Sequence, residues 1–335
     1  MKYNFFLIFT SFIVSLFLAE ITLSVFFPQN LNGSWRVKHE SGIMLNKDSG
    51  KAKHEYNDIS INYVFDKYHN RITVNKRVDK KIDKILILGD SFTFGWLLKD
   101  SDTYTHRLQE AMPEYDLINA SAGGWGLYDY TTYNKLFCEK IKPVKTYVFM
   151  NYMDIDRVER KETHNTFYDN NFLFTVKEIL NHLPFYNVLL EKSHFLSLLR
   201  TSYIKIIVHL RNSVNDTKIP EENEFTEFTE FTEFDNLILQ LSNDSQKCNS
   251  QLTIVNLGWK SFSNSNNNYK TIKYINSALE RNFFKEKNIN FINLSDTKYY
   301  KDVYLNRKSY EILGDHHPNK AGAMQIFSAL KSVLP

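Results

Sequence analysis

The stretch KILILGDSFTFGW, Lys84 to Trp96, ends an apolar run on Gly89, Asp90 and Ser91. A serine hydroxyl is a weak nucleophile until it gains a base, an acid that orients that base, and donors for a developing oxyanion. Near the other end of the chain, GDHHPNKAG places Asp315 two residues before His317. At that spacing on a loop, the carboxylate can fix one tautomer of the imidazole while the second ring nitrogen faces a serine. Between these segments, NASAGGWG carries Gly123, Gly124 and Gly126, whose backbone freedom lets N–H groups turn toward an anion. Together these residues could carry out acyl chemistry through a serine. The plainer reading is that Asp90 and Ser91 form a turn with a helix cap, while Asp315 turns the chain and His317 caps the helix that follows. A metal held by Asp315, His316 and His317 is a poorer reading, because the sequence offers no further ligand cluster.

The elements that must position these residues are short apolar runs: ILILG (85–89), DLINA (116–120), TYVFMNY (146–152), LTIVNLG (252–258) and INFINLS (289–295). Runs that are apolar throughout suit strands covered on both faces. TYTHRLQEAM and YKTIKYINSALERNFFKE lie between them with helical spacing. Strands alternating with helices predict a parallel sheet in a three-layer α/β/α sandwich. In such a sheet the loops at the carboxyl ends of neighbouring strands form the ligand site, which puts the glycine loop beside Ser91.

From about residue 158 to residue 244 the alternation stops. FTVKEILNHL and FLSLLRTSYIKIIVHLRNSV read as helices of an insertion over the sheet. Within it, EFTEFTEFTEFD (Glu224–Asp235) repeats a tripeptide, either as an expansion in a tolerant loop or helix start or as a phenylalanine-bearing binding face.

The chain has 335 residues with 41 basic and 38 acidic side chains, and this balance, without a dominant charged block, argues against nucleic acid as a partner. Phe5 to Phe27 is an apolar run that contains just one charge, Glu20. That is about the 20 residues a bilayer-spanning helix needs, and Phe17, three before Ala19, is a poor cleavage signal. An uncleaved anchor over residues 1–28 is therefore expected, with a cleaved signal peptide as the alternative. Residues 29–81 read as a polar, membrane-proximal lead-in with a short strand pair, and 82–335 as the catalytic domain. Cys138 and Cys248 read as two buried thiols, with a disulfide as the alternative.

Together, GDSFTFG, NASAGGWG and DHHPNKAG resemble the sequence blocks of the SGNH/GDSL hydrolases over roughly residues 82 to 335. The resemblance implies a flavodoxin-like sandwich, with Ser91 as nucleophile and Asp315 and His317 completing the triad. It also implies an oxyanion hole from the Ser91 and Gly124 N–H groups, with no cofactor and no metal. The block after the third strand departs from the family. VKTYVFMNYMDIDR puts Met153 where the family carries an asparagine, and Asn151, two residues earlier, is the substitute donor.

With its single anchor and helical insertion, the chain is similar to membrane-anchored relatives in bacterial envelopes. The implied function is ester hydrolysis or acyl transfer on an acylated envelope glycan or lipid, in the periplasm at the inner membrane. The alternative is a catalytically impaired relative that binds or scaffolds envelope glycan machinery.

Overall fold

A computed structural model of the chain describes residues 2–29, 31, 35–56, 59–72, 82–152, 154, 157, 186–190, 192–215, 227–259, 270–295 and 297–334. The chain divides into two compact units. One comprises Met1–Ser34, Ala52–Asp58 and Phe167–Glu224; the other comprises Trp35–Lys51, Ile59–Thr166 and Phe225–Pro335.

The larger unit is built on five parallel strands: Asp83–Gly89, Tyr115–Asn119, Lys145–Met150, Gln251–Asn256 and Asn290–Asn293. Numbered along the chain, they lie side by side in the order 2-1-3-4-5, the flavodoxin-like order that reverses direction at the first strand. Ile85 of the first strand pairs with Leu117 on one side and Lys145 on the other. Its interior residues Ile85, Leu86, Ile87 and Leu88 are all buried, because consecutive side chains point to opposite faces and both faces are covered.

On one face, Leu86 and Leu88 pack with Tyr130, Tyr133 and Phe137 of the Leu127–Ile141 helix and with Phe234, Ile238 and Leu241 of the Glu227–Lys247 helix. On the other, Ile85 and Ile87 pack with Tyr104 and Leu108 of the Tyr104–Ala111 helix and with Ile326, Ala329 and Leu330 of the Lys320–Lys331 helix. Each large aliphatic side chain so buried contributes about 1.5–3 kcal/mol, which makes the two clusters the main stabilising term of the sandwich.

Three sequence expectations change here. Cys138 and Cys248 form a disulfide, with Cα atoms 6.0 Å apart, rather than two separate thiols. The Leu127–Ile141 and Glu227–Lys247 helices pack against each other and so bring the two residues together. The described part of the phenylalanine repeat starts the Glu227–Lys247 helix, as one reading of it allowed, but its last two phenylalanines turn toward the core. Phe234 is buried, and Phe231 and Phe234 each lie 5.8 Å from the Tyr274 ring. Residue 158–244 is also not one body: Phe167–Glu224 falls in the smaller unit, while the Glu227–Lys247 helix covers the sheet. The helix expected in FTVKEILNHL lies outside the described residues.

In the smaller unit, the Lys2–Phe26 helix includes one stretch long and apolar enough to cross a membrane, Phe6–Phe26, with mean hydropathy 2.2. A signal sequence would have the same character. The His194–Asn215 helix packs against it.

Candidate active site

Ser91 opens a single helical turn, Ser91–Phe94, directly after the first strand. Asp90 caps this turn by accepting the Phe92 N–H at 2.9 Å, which satisfies one of the donors a helix start leaves open. Gly89 is required by close approach, since a Cβ there would run into the Thr93 side chain. After the second strand, Gly124 adopts a φ of +75°, the left-handed region that favours glycine. Among the described residues, neither the Ser91 nor the Gly124 backbone N–H donates to a protein acceptor.

His317 Nε2 lies 2.7 Å from Ser91 Oγ, and its Nδ1 is hydrogen-bonded to Asp315 Oδ1. A carboxylate only accepts, so Nδ1 carries the proton, Nε2 is the acceptor, and the Ser91 hydroxyl donates to it. The Asp315 carboxylate also accepts the His317 backbone N–H at 2.9 Å. Burial works against its charge, but the bonds from His317 prevail and hold its pKa below the ordinary value. Trp96 stacks on the His317 ring at 5.6 Å and Phe92 lies 5.1 Å away, which limits the orientations open to the imidazole. This arrangement can take a proton from a hydroxyl as that hydroxyl attacks a carbonyl.

His316 points outward at 47% side-chain exposure and stacks on His317 at 4.5 Å. Burial and the neighbouring imidazole push its pKa down. The polar atoms of Asp315, His316 and His317 lie within 4.8 Å of one another. Two of the three are engaged with Ser91 or with each other, as described above.

Asn151 is fully buried behind the serine. Its Nδ2 donates to Asp90 Oδ2 at 3.2 Å, and its Oδ1 accepts the Tyr152 N–H at 2.8 Å. Met153 lies outside the described residues. Asp154 accepts the Asn151 N–H at 2.7 Å and the Tyr130 hydroxyl at 2.8 Å. Burial, reinforced by the charge of Asp90, pushes the Asp154 pKa well above the usual carboxylate range. Arg157 bridges the pair, donating to Asp90 at 2.9 Å, to Asp154 at 3.3 Å and to the Trp125 carbonyl at 2.5 Å. Burial opposes its charge, but Asp90 and Asp154 outweigh that and raise its pKa.

The lead-in, read from the sequence as a polar membrane-proximal segment with a short strand pair, holds both the serine loop and the glycine loop. Arg71 is completely buried and donates to the carbonyls of Phe94, Gly95 and Leu98 at 2.6, 2.7 and 2.8 Å. It also makes a 2.6 Å ion pair with Asp100 and lies over the Tyr63 ring at 4.5 Å. The Tyr63 hydroxyl in turn accepts the Leu97 N–H at 2.9 Å, and burial pushes its pKa up to about 12. The antiparallel pair Arg36–Lys38 and Met44–Asn46 braces the glycine loop. Trp125 Nε1 donates to the Met44 carbonyl at 2.6 Å, and Asn46 Nδ2 donates to the Ser121 carbonyl at 3.1 Å. No signal in the sequence marks Arg71, because a buried arginine is recognised by its acceptors and these lie more than twenty residues away.

The strand order, and the seats of Ser91 after the first strand, Gly124 after the second and Asp315–His317 before the last helix, are those that the SGNH/GDSL resemblance implies. No family model matches the chain, and no curated protein does. Among solved structures, the psychrotrophic esterase EstA from Pseudoalteromonas sp. is 14% identical over 75% of this chain and 95% of its own, with a TM-score of 0.43. A member of the lipolytic protein G-D-S-L family from Veillonella parvula is 12% identical over 75% of this chain and 97% of its own, also at 0.43. The acetyl xylan esterase AlAXEase is 17% identical over 75% and 100%, again at 0.43. At such scores these likenesses are of outline alone.

Proposed function

We propose that the chain is a serine-dependent ester hydrolase of SGNH/GDSL type. The observation that carries this reading is the continuous contact from Asp315 through His317 to Ser91, with Nε2 at 2.7 Å from Oγ. In the proposed reaction, Ser91 Oγ attacks the ester carbonyl as its proton passes to His317 Nε2. The carbonyl oxygen becomes an oxyanion that accepts from the Ser91 and Gly124 N–H groups. Collapse of the tetrahedral intermediate breaks the ester C–O bond, and His317 returns the proton to the departing alcohol. Water, deprotonated by His317, then releases the acid and restores Ser91; a sugar hydroxyl in its place would give acyl transfer. Asn151 is a positioning residue that holds Asp90 and so the start of the serine turn.

The substrate class we propose is an acyl ester on an envelope glycan or lipid. The Lys2–Phe26 helix serves as an anchor and the catalytic unit lies outside the cytoplasm. The length and hydropathy of that helix support the anchor. The Cys138–Cys248 disulfide supports an oxidising compartment.

Kinetics of p-nitrophenyl acetate hydrolysis by the detergent-solubilised full chain test the reading. His317→Ala should lower kcat/KM by about a thousandfold or more. Equal rates in wild type and His317→Ala would instead favour a binding or scaffolding role.

A further inference from the structure

Glu20 is the one charged residue in the apolar part of the N-terminal helix, and it has three partners. Its carboxylate accepts from Ser193 Oγ at 2.7 Å and from the backbone N–H groups of His194 and Phe195 at 2.7 and 3.0 Å. The last two are the opening residues of the His194–Asn215 helix, so the acid of one helix satisfies the free N–H groups and favours the dipole of the other. Just beyond the apolar helix, the Gln29 N–H donates to His194 Nδ1 at 2.9 Å. The start of the second helix is thereby held between Glu20 and Gln29.

This fixes a depth. Glu20 precedes the helix end at Phe26 by six residues, a rise of about 9 Å at 1.5 Å per residue. If Phe6–Phe26 fills a hydrocarbon core about 30 Å thick, Glu20 sits about 9 Å inside the edge of that core and Gln29 just beyond it, so the second helix begins in the outermost layer of the acyl chains. Helices lying in the plane of a membrane bury their apolar face about 5–10 Å into this layer.

The composition of the second helix agrees with that depth. HFLSLLRTSYIKIIVHLRNSVN has three basic residues, Arg200, Lys205 and Arg211, and no acidic one. Leu199 and Ile206, seven residues apart and so on one face, are 50% and 57% exposed. Val188 and Leu189 in the preceding Tyr186–Leu190 helix are similarly open at 49% and 51%. Ser197, by contrast, is buried. Open aliphatic side chains on a basic helix, tied to a span-length helix near the edge of its apolar stretch, match an anionic lipid surface in both apolarity and charge.

We propose that the His194–Asn215 helix lies in the membrane interface, with Leu199 and Ile206 in the acyl-chain boundary. This rests on the reading of Lys2–Phe26 as an anchor. The helix is a second membrane contact, directed at the surface of an anionic phospholipid bilayer, and Glu20 is the joint between the two.

The test uses the full chain in vesicles of phosphatidylglycerol and phosphatidylethanolamine. An environment-sensitive fluorophore is attached to Leu199→Cys, Ile206→Cys or the exposed Thr201→Cys, and Val14→Cys reports on the anchor itself. Labels at 199 and 206 should be quenched by a nitroxide on the lipid chain near the headgroup and be several-fold less sensitive to iodide than the label at 201. Equal iodide quenching at 199, 206 and 201 overturns the proposal. So does shielding from both quenchers, which would mean a protein partner or a second copy. Failure of the lipid nitroxide at 14 overturns the anchor instead, and the labels at 199 and 206 are judged independently of it. Glu20→Gln, which keeps the shape and removes the charge, should weaken lipid quenching at 199 while leaving that at 14 unchanged.

Discussion

Asn151 Nδ2 donates to Asp90 Oδ2 at 3.2 Å, so the amide that sequence spacing offers to the oxyanion is bound to the residue before the serine. Removing it leaves a buried carboxylate short of a donor, which costs about 1–3 kcal/mol or more for a charged group. Asn151→Ala should therefore lower the melting temperature and reduce kcat together. A hundred- to thousandfold fall in kcat with the melting temperature unchanged is what loss of an oxyanion donor produces, and would contradict a positioning role.

Arg71 makes a second prediction. Its fork of donors satisfies three backbone carbonyls and Asp100 in one buried site. Replacing it leaves three buried backbone carbonyls short of a donor, at a cost of about 1–3 kcal/mol for each left unsatisfied, and breaks an ion pair in which the Asp100 side chain is 32% exposed. Arg71→Met should lower the unfolding free energy obtained from urea titration by a comparable amount, and Arg71→Lys should recover little, because an ammonium cannot reproduce the planar fork. A change below about 1 kcal/mol, the range of exposed pairs, would show that Arg71 does not hold the serine loop.

The Cys138–Cys248 disulfide closes a separation of 110 residues. On the chain-entropy account such a crosslink contributes about 4–5 kcal/mol. The double replacement by serine should lower the urea midpoint accordingly while leaving kcat near the wild-type value, since neither residue touches the site. Two titratable thiols in the unreduced native protein would contradict the pairing.

Asp315 links stability to pH with a definite sign. Its folded pKa lies below the unfolded value, so its contribution is complete above about pH 4, the ordinary aspartate range, and is lost as pH falls through the lower folded pKa. Asp315→Asn should be less stable than wild type at pH 7, with the difference closing on acidification. The same substitution should lower kcat by up to about ten-thousandfold, because an amide does not hold the Nδ1–H tautomer. A stability gap that widens toward low pH would contradict the assignment.

Strand runs such as ILILG and TIVN were legible because a strand buried on both faces is apolar at every position, and the three loop motifs were legible because their residue types follow from backbone demands. What the sequence concealed depends on distant partners. Asn151 and Met153 lie two residues apart in the sequence, and only the position of Asp90 shows where the Asn151 amide goes. The bracing role of the lead-in is hidden in the sequence because Arg71, Trp35 and Asn46 sit in polar surroundings along the chain; their acceptors and ring partners come from other loops. The tripeptide repeat looked expendable because its period of three is close to, but not, the helical period; the residues at its end, Phe231 and Phe234, reach the core side.

Covalent capture of Ser91 tests the central claim most directly. The full chain, treated with a fluorophosphonate and digested, should yield a peptide carrying one phosphonyl group on Ser91, with labelling absent in Ser91→Ala and at least a hundredfold slower in His317→Ala, about the least that removal of a general base costs. An unmodified Ser91 after prolonged treatment of folded protein, or modification that persists in Ser91→Ala, would contradict the account.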